Sequence, residues 1–540
     1  MKFTQVAHRL YNKVRRINFS AVNTPLRRKA TENWLVVAIS DNRMTGPDSI
    51  KLLNLERNIS ESTIWNLPSE EKLWLYNLHY FEDLVSAGYR EKDVWLSSLV
   101  DRWIVENPPP YGNGWEPYPL SLRIVNWIKW FLNGKLTQNS HWLDSLALQT
   151  NVLSQCLERH LLGNHLLANA KALIFAGTFF DCEPSSRWLE TGLKIFDKEL
   201  GEQILEDGAN FELSPMYHSL VFQDLLDLVN LASCYPIPEL AGRVQHWRMI
   251  AGKMLSFMGA MTHPDGGISF FNDAAIGISP SPYFLQRYAE QLEVTAEDKS
   301  IGTNVDHILV KHFLNSGYLR VESGDAVSII DCAEVGPSYL PGHAHADTLS
   351  FETSLGGSRL FVNTGTACYG VSDERLRQRG TAAHNTVVVD GLNSSVVWSG
   401  FRVANRAHPS QPTVEVSRDE PKDVSVICSH DGYSRLSRKL VHTRTWTFRP
   451  YSIEIQDFLS GGYKSGVAHY HIHPSIVVDT DSEDVVLTVP NGSRARVSVT
   501  GGRWSLAPYE WCPEFGVKIP SQKIIIFFEQ PKVVFRLEFL

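Results

Sequence analysis

The sequence lacks a long apolar run, paired cysteines and an excess of positive charge. None of its apolar stretches approaches the roughly 20 residues that a transmembrane helix needs. Residues 1–23 also lack the apolar segment that defines a secretory signal. The seven cysteines are scattered without a Cys-x-x-Cys pair, which argues against a disulfide framework and a cysteine zinc site. We therefore predict no transmembrane segment and a cytoplasmic protein as written, with a periplasmic or secreted protein as the alternative.

Acidic residues outnumber basic ones, and the formal net charge is −8. This balance argues against a nucleic-acid-binding protein that depends on overall positive charge. The first 30 residues are the exception, because they contain no acidic residue and include these basic ones: Lys2, Arg9, Lys13, Arg15, Arg16, Arg27, Arg28 and Lys29. We interpret them as a solvated basic arm. The alternative is peripheral contact with an anionic membrane surface or an anionic partner.

Two patterns of apolar residues divide the rest of the chain. Before about residue 300, leucines recur at helical spacing, and Gly177 is well placed to end a helix. After about residue 310, β-branched runs alternate with Gly-Gly and Asp-Gly turns, and the last two predicted strands meet at Gln530-Pro531. We predict a basic arm and lead-in over 1–59, a helical domain over 60–300 and an antiparallel β-sandwich domain over 301–540. Several helical hairpins of similar size would suit a toroid.

Four clusters of polar residues carry candidate chemistry. Asn164 and His165 open an apolar helix, where a capping Asn beside a core His is the simpler interpretation. Ser214 can cap a helix that begins at Pro215, which places Tyr217 in the first turn. A buried core tyrosine is the alternative there.

The third cluster contains His343 and His345. A His-x-His pair on a strand puts both rings on one face, a pattern typical of a metal or acid–base site. The fourth cluster is a basic run followed by a histidine before an apolar strand, and consists of Arg375, Arg377, Arg379 and His384. A solvated basic loop would explain the arginines but not the position of His384.

Taken together, these motifs resemble the heparinase II/III superfamily of polysaccharide lyases. The matching stretches are GNHLLANAKALIFAG, DGANFELSPMYH, GHAHADTLSFE, LFVNTGT and RGTAAHNTVVVDG, in that order, with LYNLHYFEDL and GWEPYPLSLRI upstream. The resemblance covers most of the chain. It implies a multidomain α + β protein, with an N-terminal α/α toroid (an incomplete α/α barrel) followed by a C-terminal antiparallel β-sandwich.

The resemblance also assigns roles to residues. Asn164 would neutralise a uronate carboxylate with help from His165, and Tyr217 and His343 would be the catalytic tyrosine and histidine. The candidate substrate contacts are Arg375, Arg377, Arg379, Trp115 and Glu212. An unperturbed tyrosine near pKa 10 is a poor base, so nearby cations such as these arginines would have to lower its pKa.

The same resemblance implies a structural zinc site. His345 and His384 match two of its ligands, but Asn363 occupies the position where those family members have a third ligand, an aspartate. A neutral amide is a poorer zinc ligand than a carboxylate. Zinc is therefore expected only if this substitution is tolerated.

The resemblance implies a lyase that cleaves a uronic-acid-containing acidic polysaccharide by β-elimination. Neutralising the uronate carboxylate makes the C5 proton acidic enough for a Tyr or His to remove, and Tyr can protonate the leaving oxygen.

A non-cleaving glycan-binding or polysaccharide-assembly protein is the first alternative. The second is a glycoside hydrolase, which needs two carboxylates roughly 5–9.5 Å apart. The available carboxylates are Glu116, Asp207, Glu212 and Asp273.

Overall fold

The helices and strands fall into two units, each assembled from separate stretches of the chain. The computed structural model describes residues 2–22, 25–38, 40–134, 140–418, 422–437, 439–480 and 485–540. The first unit comprises Met1–Ile204, Leu220–Ala251 and Phe284–Thr295, and the second comprises Leu205–Ser219, Gly252–Tyr283 and Ala296–Leu540. In the described ranges, no helix is long and apolar enough to cross a membrane.

The α-helices are concentrated before residue 300. They are α1 (Phe3–Val14), α2 (Lys72–Tyr80), α3 (Asp93–Glu106), α4 (Pro117–Leu132), α5 (Ser140–Gln155), α6 (Gly163–Phe179), α7 (Ser185–Gln203), α8 (Pro215–Cys234), α9 (Pro238–Ala260), α10 (Pro282–Gln291) and α11 (Asp373–Arg379). Proline at the first position of α4 and α8 fits a helix start, because its missing N–H has no partner to lose there.

The strands before residue 300 are all short, whereas those after it include strands of up to ten residues. The first five are β1 (Leu26–Arg27), β2 (Met44–Gly46), β3 (Ser49–Leu52), β4 (Leu55–Asn58) and β5 (Phe180–Asp181). The next nine are β6 (Ile301–Val305), β7 (Ile308–Phe313), β8 (Tyr318–Ser323), β9 (Ala326–Asp331), β10 (Phe351–Leu355), β11 (Ser358–Phe361), β12 (Val387–Val389), β13 (Val397–Trp398) and β14 (Arg402–Val403). The last eleven are β15 (Thr413–Val416), β16 (Val424–His430), β17 (Val441–Arg449), β18 (Ser452–Ser460), β19 (Gly466–His471), β20 (Val477–Thr480), β21 (Val485–Thr488), β22 (Arg494–Thr500), β23 (Gly502–Trp511), β24 (Ile519–Phe528) and β25 (Lys532–Phe539).

Helix α6 lies at the centre of the first unit. Nearly all of its residues are buried, which is typical of a helix that is apolar on every side. The prediction that Gly177 ends this helix is wrong, because the helix continues to Phe179. Gly177 instead allows a close approach to α7: a Cβ at this position would lie 2.5 Å from the backbone nitrogen of Leu189. Gly192 on α7 has the same role, since its Cβ would lie 2.9 Å from the Ala170 carbonyl.

Three antiparallel sheets enclose the core of the second unit. Their strand orders are β11-β10-β9-β8-β7-β6, β12-β19-β24-β23 and β15-β16-β17-β18-β25-β22-β21-β20. One core of buried apolar side chains draws on all three, including Leu319 and Phe351, Ile526, and Trp446 and Phe535. The predicted Gly-Gly and Asp-Gly turns follow β10 and β12, respectively.

The last two strands were predicted from alternation and a turn at Gln530-Pro531. Both exist, and along β25 the buried residues Val533, Phe535 and Leu537 alternate with more exposed neighbours. The two strands do not pair with each other, however. β24 lies in the four-stranded sheet, whereas β25 lies between β18 and β22 in the eight-stranded one.

A charged network is buried among the helices of the first unit. The Asp227 carboxylate lies 3.0 Å from Lys129 Nζ and 2.6 Å from Lys171 Nζ, and it accepts a hydrogen bond from the Tyr288 hydroxyl. Burial alone would raise the pKa of Asp227, but the two ammonium groups lower it, so this carboxyl is ionised. Asp224, which is partly exposed, pairs only with Lys171 among the contacts described here.

We expect Asp227→Asn to destabilise the protein by about 3–5 kcal/mol, because it leaves two buried ammonium groups without their shared carboxylate. Asp224→Asn is the matched control and should cost less, about 1–2 kcal/mol, since it removes one pairing at a partly exposed site. Denaturant unfolding followed by tryptophan fluorescence measures both. Equal losses in the two variants would contradict the central role of Asp227.

Candidate active site

Tyr217 lies in the first turn of α8, in the part of that helix that belongs to the second unit. Ser214 caps this turn as predicted, since its Oγ accepts a hydrogen bond from the Tyr217 N–H. The Ser214 hydroxyl also donates to the Asp273 carbonyl, over 2.5 Å. These contacts fix the start of the helix relative to Asp273, and they leave the ring of Tyr217 against the ring of His343, with centroids 4.0 Å apart.

Asp273 is the residue on which this cluster converges. One oxygen lies 2.8 Å from His343 Nδ1, the other lies 2.8 Å from His345 Nε2, and the guanidinium of Arg375 bonds to both. The carboxylate is fully buried. Burial alone would raise the pKa of Asp273, but Arg375 and the two histidines hold it well below its usual range. The site therefore contains a permanent buried negative charge.

His343 is the member of this cluster that reaches solvent, with 17% of its side chain exposed. Because the Asp273 carboxylate can accept hydrogen bonds but cannot donate them, His343 Nδ1 must carry the proton in this contact. In the neutral ring, Nε2 then holds a lone pair, which is the form of a general base. Glu212 Oε2 lies 3.6 Å from Nε2, so a second carboxylate is close to that atom.

The predicted position of the two histidines on a strand is wrong. His343 and His345 lie in the loop between β9 and β10. Their rings nevertheless meet one carboxylate, because Asn272 holds the loop: its side chain accepts from the His345 N–H and donates to the Leu213 carbonyl. Loop contacts, and not strand periodicity, bring the rings together.

His345 and His384 form a buried pair. His345 Nδ1 lies 3.3 Å from His384 Nε2, and burial lowers the pKa of His345 to about 4, so its ring is neutral. A separation of 3.3 Å suits two ligands of one metal ion as well as a direct hydrogen bond.

The third position does not fit the implied zinc site. The Asn363 oxygen already accepts the Asn385 N–H, 3.1 Å away, and its amide nitrogen has no hydrogen-bond partner. Within the described ranges, no group of three His, Cys, Asp or Glu side chains could hold a metal. Two imidazoles and one occupied amide do not match a site of two imidazoles and a carboxylate.

The three arginines of the basic run have different environments. Arg375 and Arg379 are buried: Arg375 pairs with Asp273, and Arg379 donates to the Ala344 carbonyl over 2.8 Å. Arg377 is exposed and pairs with Glu374 on the same helix. In this arrangement Arg375 holds Asp273, Arg379 holds the histidine loop, and Arg377 is the one of the three that faces solvent. Substrate contact by all three stays a prediction.

Sequence reasoning missed Tyr369 and Phe401. The Tyr369 hydroxyl lies 3.0 Å from the Tyr217 hydroxyl, and the guanidinium of Arg375 lies over the Tyr369 ring, 4.9 Å from its centroid. Phe401 packs edge-on against His343. Neither residue belongs to a polar motif, so only the folded arrangement reveals them.

Asn164, His165 and Trp115 lie in the first unit. Asn164 and His165 open α6 as predicted, and His165 Nδ1 lies 2.9 Å from a carboxylate oxygen of Glu158. The ring of His165 lies 4.4 Å from the ring of Tyr118. Trp115 is largely buried, and its Nε1 donates to the Asn107 carbonyl. The predicted roles of these three residues in substrate binding and catalysis stay predictions.

The carboxylates considered for glycoside hydrolysis are mostly engaged elsewhere. Asp207 accepts the backbone N–H groups of Asn315 and Ser316. Asp273 is held ionised by Arg375 and so cannot act as an acid. Glu116 lies in the first unit and accepts from Tyr76 and Lys72. Glu212 lies beside His343, with its Oε2 3.6 Å from Nε2.

Comparisons with known proteins give a consistent result. The family model "Heparinase II/III N-terminus" matches residues 14–301, and the model "Heparinase II/III-like, C-terminal" matches residues 308–536. A heparin-sulfate lyase from Bacteroides stercoris is 28% identical over 385 residues, covering 61% of this chain and 55% of the relative. A heparin-sulfate lyase from Pedobacter heparinus is 24% identical over 403 residues, covering 66% and 59%. The chain thus spans little more than half the length of these curated relatives.

Solved structures agree on the fold. A crystal structure of heparinase III has a TM-score of 0.68 and 18% identity, covering 88% of this chain and 79% of that one. The heparan sulfate lyase HepC from Pedobacter heparinus has a TM-score of 0.57 and 16% identity, covering 99% and 87%. The predicted fold class, an α/α toroid followed by an antiparallel β-sandwich, is confirmed.

The two histidines of the His-x-His pair should differ in their effect on stability. His345→Ala removes a fully buried ring with two partners, so we expect a loss of about 2–3 kcal/mol, with His384→Ala behaving similarly. His343→Ala changes a partly exposed ring and should alter Tm much less. Thermal unfolding of the variants measures this. Indistinguishable Tm values for His343→Ala and His345→Ala would contradict the assignment.

The same measurement tests for zinc. Because Asn363 does not supply a carboxylate, we expect a chelator to leave the Tm of the unmodified protein unchanged. Asn363→Asp completes the donor set and should give a Tm that rises with added Zn²⁺ and falls with chelator. A chelator-sensitive Tm in the unmodified protein would show that the amide is tolerated.

Proposed function

The chain belongs to the heparinase II/III family, and on that premise we propose that it cleaves a uronic-acid-containing acidic polysaccharide by β-elimination. The observation that carries this proposal is the arrangement of Tyr217 and His343. Their rings are in contact, one presents an unprotonated nitrogen, and the other presents a hydroxyl. β-Elimination requires a base that removes the C5 proton and an acid that protonates the departing O4, close to each other.

His343 acts as the base. Its Nε2 takes the proton from C5, and the electron pair of that bond forms the C4–C5 double bond as the C4–O4 bond breaks. The ring becomes an imidazolium between two carboxylates, with Asp273 at 2.8 Å and Glu212 at 3.6 Å. The Asp273 carboxylate, which Arg375 holds ionised, faces the positive charge of this ring.

Tyr217 acts as the acid. Burial, then the nearby Tyr369 and Asp273, raise the pKa of Tyr217 well above its usual value, so the hydroxyl keeps its proton. This differs from the sequence-based expectation that cations lower the pKa of this tyrosine. The proton goes to the departing O4, and the hydrogen bond between the Tyr217 and Tyr369 hydroxyls, 3.0 Å long, orients the Tyr217 oxygen for this transfer. Transfer of a proton from His343 back to Tyr217 restores both groups.

The uronate carboxylate also needs a partner that neutralises it. Asn164 is the residue that the family resemblance assigns, and His165 is its assigned helper. His165 is fixed by Glu158 and Tyr118, which favours a defined ring orientation. We propose these two roles from the family resemblance alone.

The names of two relatives suggest which substrate class to test first. The two curated relatives are named heparin-sulfate lyases, so sulfated uronate polymers are the first class to test. Unsulfated uronate polysaccharides are the second. A panel of both, assayed by the ultraviolet absorbance of the unsaturated uronate product, tests the proposal. Tight binding without product on every polymer would instead indicate a glycan-binding protein, and saturated products would indicate a hydrolase.

We expect Tyr217→Phe to lower kcat by about 10²–10⁴-fold, because it removes the acid and keeps the ring. Tyr217 is buried at a helix start, and the loss of one hydroxyl should change Tm and polysaccharide binding little. The product assay and a binding assay measure these effects. Retention of more than about a tenth of the rate would contradict proton transfer by Tyr217.

Tyr369→Phe should have a smaller effect with a diagnostic pH profile. The variant loses one hydrogen bond to the Tyr217 oxygen, which predicts a roughly tenfold fall in kcat with KM nearly unchanged. Because Tyr369 raises the pKa of Tyr217, loss of its hydroxyl should also shift the alkaline limb of the kcat profile to lower pH. Phe515→Leu, a packing change on the other side of Tyr369, is the control and should not move that limb.

A further inference from the structure

Helix α1 is attached to the first unit by its polar side. Gln5 is 2% exposed, and its side-chain amide donates to the Leu161 carbonyl. The Asn12 amide lies 3.1 Å from His160 Nδ1. Gln5 and Asn12 are seven residues apart, about two turns, so they lie on the same side of the helix. Arg15, just beyond the helix, donates to the Gln155 carbonyl on this side.

The opposite side of α1 is apolar and faces solvent. Phe3 is 86% exposed, Leu10 is 62% exposed and Val14 is 77% exposed. Helical spacing places these three residues on one face, and the exposed Val6 and Tyr11 flank them. A surface helix of a soluble domain normally turns its apolar stripe inward and its polar side outward. The orientation of α1 is the reverse, so its apolar face is available to a surface outside the unit.

Positive charge lies beside this apolar face. Arg9, Lys13 and Arg16 are exposed, and the first acidic residue in the sequence is Glu32. An exposed apolar stripe with basic residues beside it is the arrangement of helices that lie in the plane of an anionic membrane surface. The same charges oppose pairing of this face with its copy in a second molecule, because Arg9 and Lys13 would approach their own equivalents.

We propose that α1 is a membrane-binding element that inserts Phe3, Leu10 and Val14 among the acyl chains of an anionic lipid surface. Arg9, Lys13 and Arg16 lie at the level of the lipid phosphates. While the helix is bound to lipid, the polar contacts of Gln5, Asn12 and Arg15 keep it attached to the first unit. The protein is thereby held at a membrane by a helix that lies in the lipid surface, and this does not depend on the proposed lyase activity.

Vesicle co-sedimentation of the whole chain tests the proposal. The protein should sediment with phosphatidylcholine vesicles that contain phosphatidylglycerol, and much less with pure phosphatidylcholine. Phe3→Ser with Leu10→Ser should weaken this binding by more than about tenfold, because the lipid no longer buries two large apolar side chains. Arg9→Gln with Lys13→Gln should weaken it by roughly fivefold per charge, and added salt should weaken it further.

The matched controls lie on α3 and β14. Val94 and Val105 on α3 are 80% and 79% exposed, so Val94→Ser with Val105→Ser also removes two exposed apolar side chains in the same unit. Arg402→Gln removes an exposed charge on β14. Both control variants should bind vesicles like the unmodified protein. All of the altered side chains are exposed, so Tm should change little.

Three results would overturn the proposal. The first is no binding to phosphatidylglycerol vesicles by the unmodified protein. The second is equal binding by the α1 variant and the α3 control. The third is a dimer by light scattering that Phe3→Ser with Leu10→Ser converts to a monomer, since the apolar face would then be a contact between copies of this chain.

Discussion

A single buried carboxylate, Asp273, organises the candidate active site. It sets the protonation of His343, holds the ring of His345 and fixes the guanidinium of Arg375. A buried charge of this kind is stable only when cations and hydrogen-bond donors surround it. The groups that satisfy Asp273 are therefore also the groups that place the base and support the loop that carries it.

Buried carboxylates with cationic partners recur elsewhere among the described residues, with a different result. Asp227 is enclosed by two lysines and a tyrosine, and Asp457 is enclosed by Arg444 and His442. In both cases the direct partners of the carboxylate are buried, so these networks stabilise their units. The partners of Asp273 differ in one respect, because the side chain of His343 is partly exposed. Because of that exposure, the Asp273 network can meet a substrate, whereas the Asp227 and Asp457 networks contribute to the stability of the fold.

Local signals were enough for some features and not for others. Ser214 and Pro215 predicted the start of α8 because capping depends on neighbouring residues, and alternation predicted β25 for the same reason. Nothing local distinguishes β25 as a central strand, and nothing local links Tyr369 to Tyr217 across 152 residues of chain. Gly177 has the properties of a helix cap and of a packing contact alike, and only its neighbour α7 decides between them. Motif spacing likewise does not predict the burial that raises the pKa of Tyr217.

The place of β25 has a consequence for synthesis of the chain. β25 joins β18 to β22, so the eight-stranded sheet consists of two separate parts until Lys532–Phe539 is available. During translation, β15–β18 and β20–β22 leave the ribosome with unpaired edges that face the missing strand. Such edges can pair with other nascent chains, and they stay exposed for as long as elongation takes. The second unit thus completes its largest sheet only after β25 has been made, and chaperone capture in that interval would protect it.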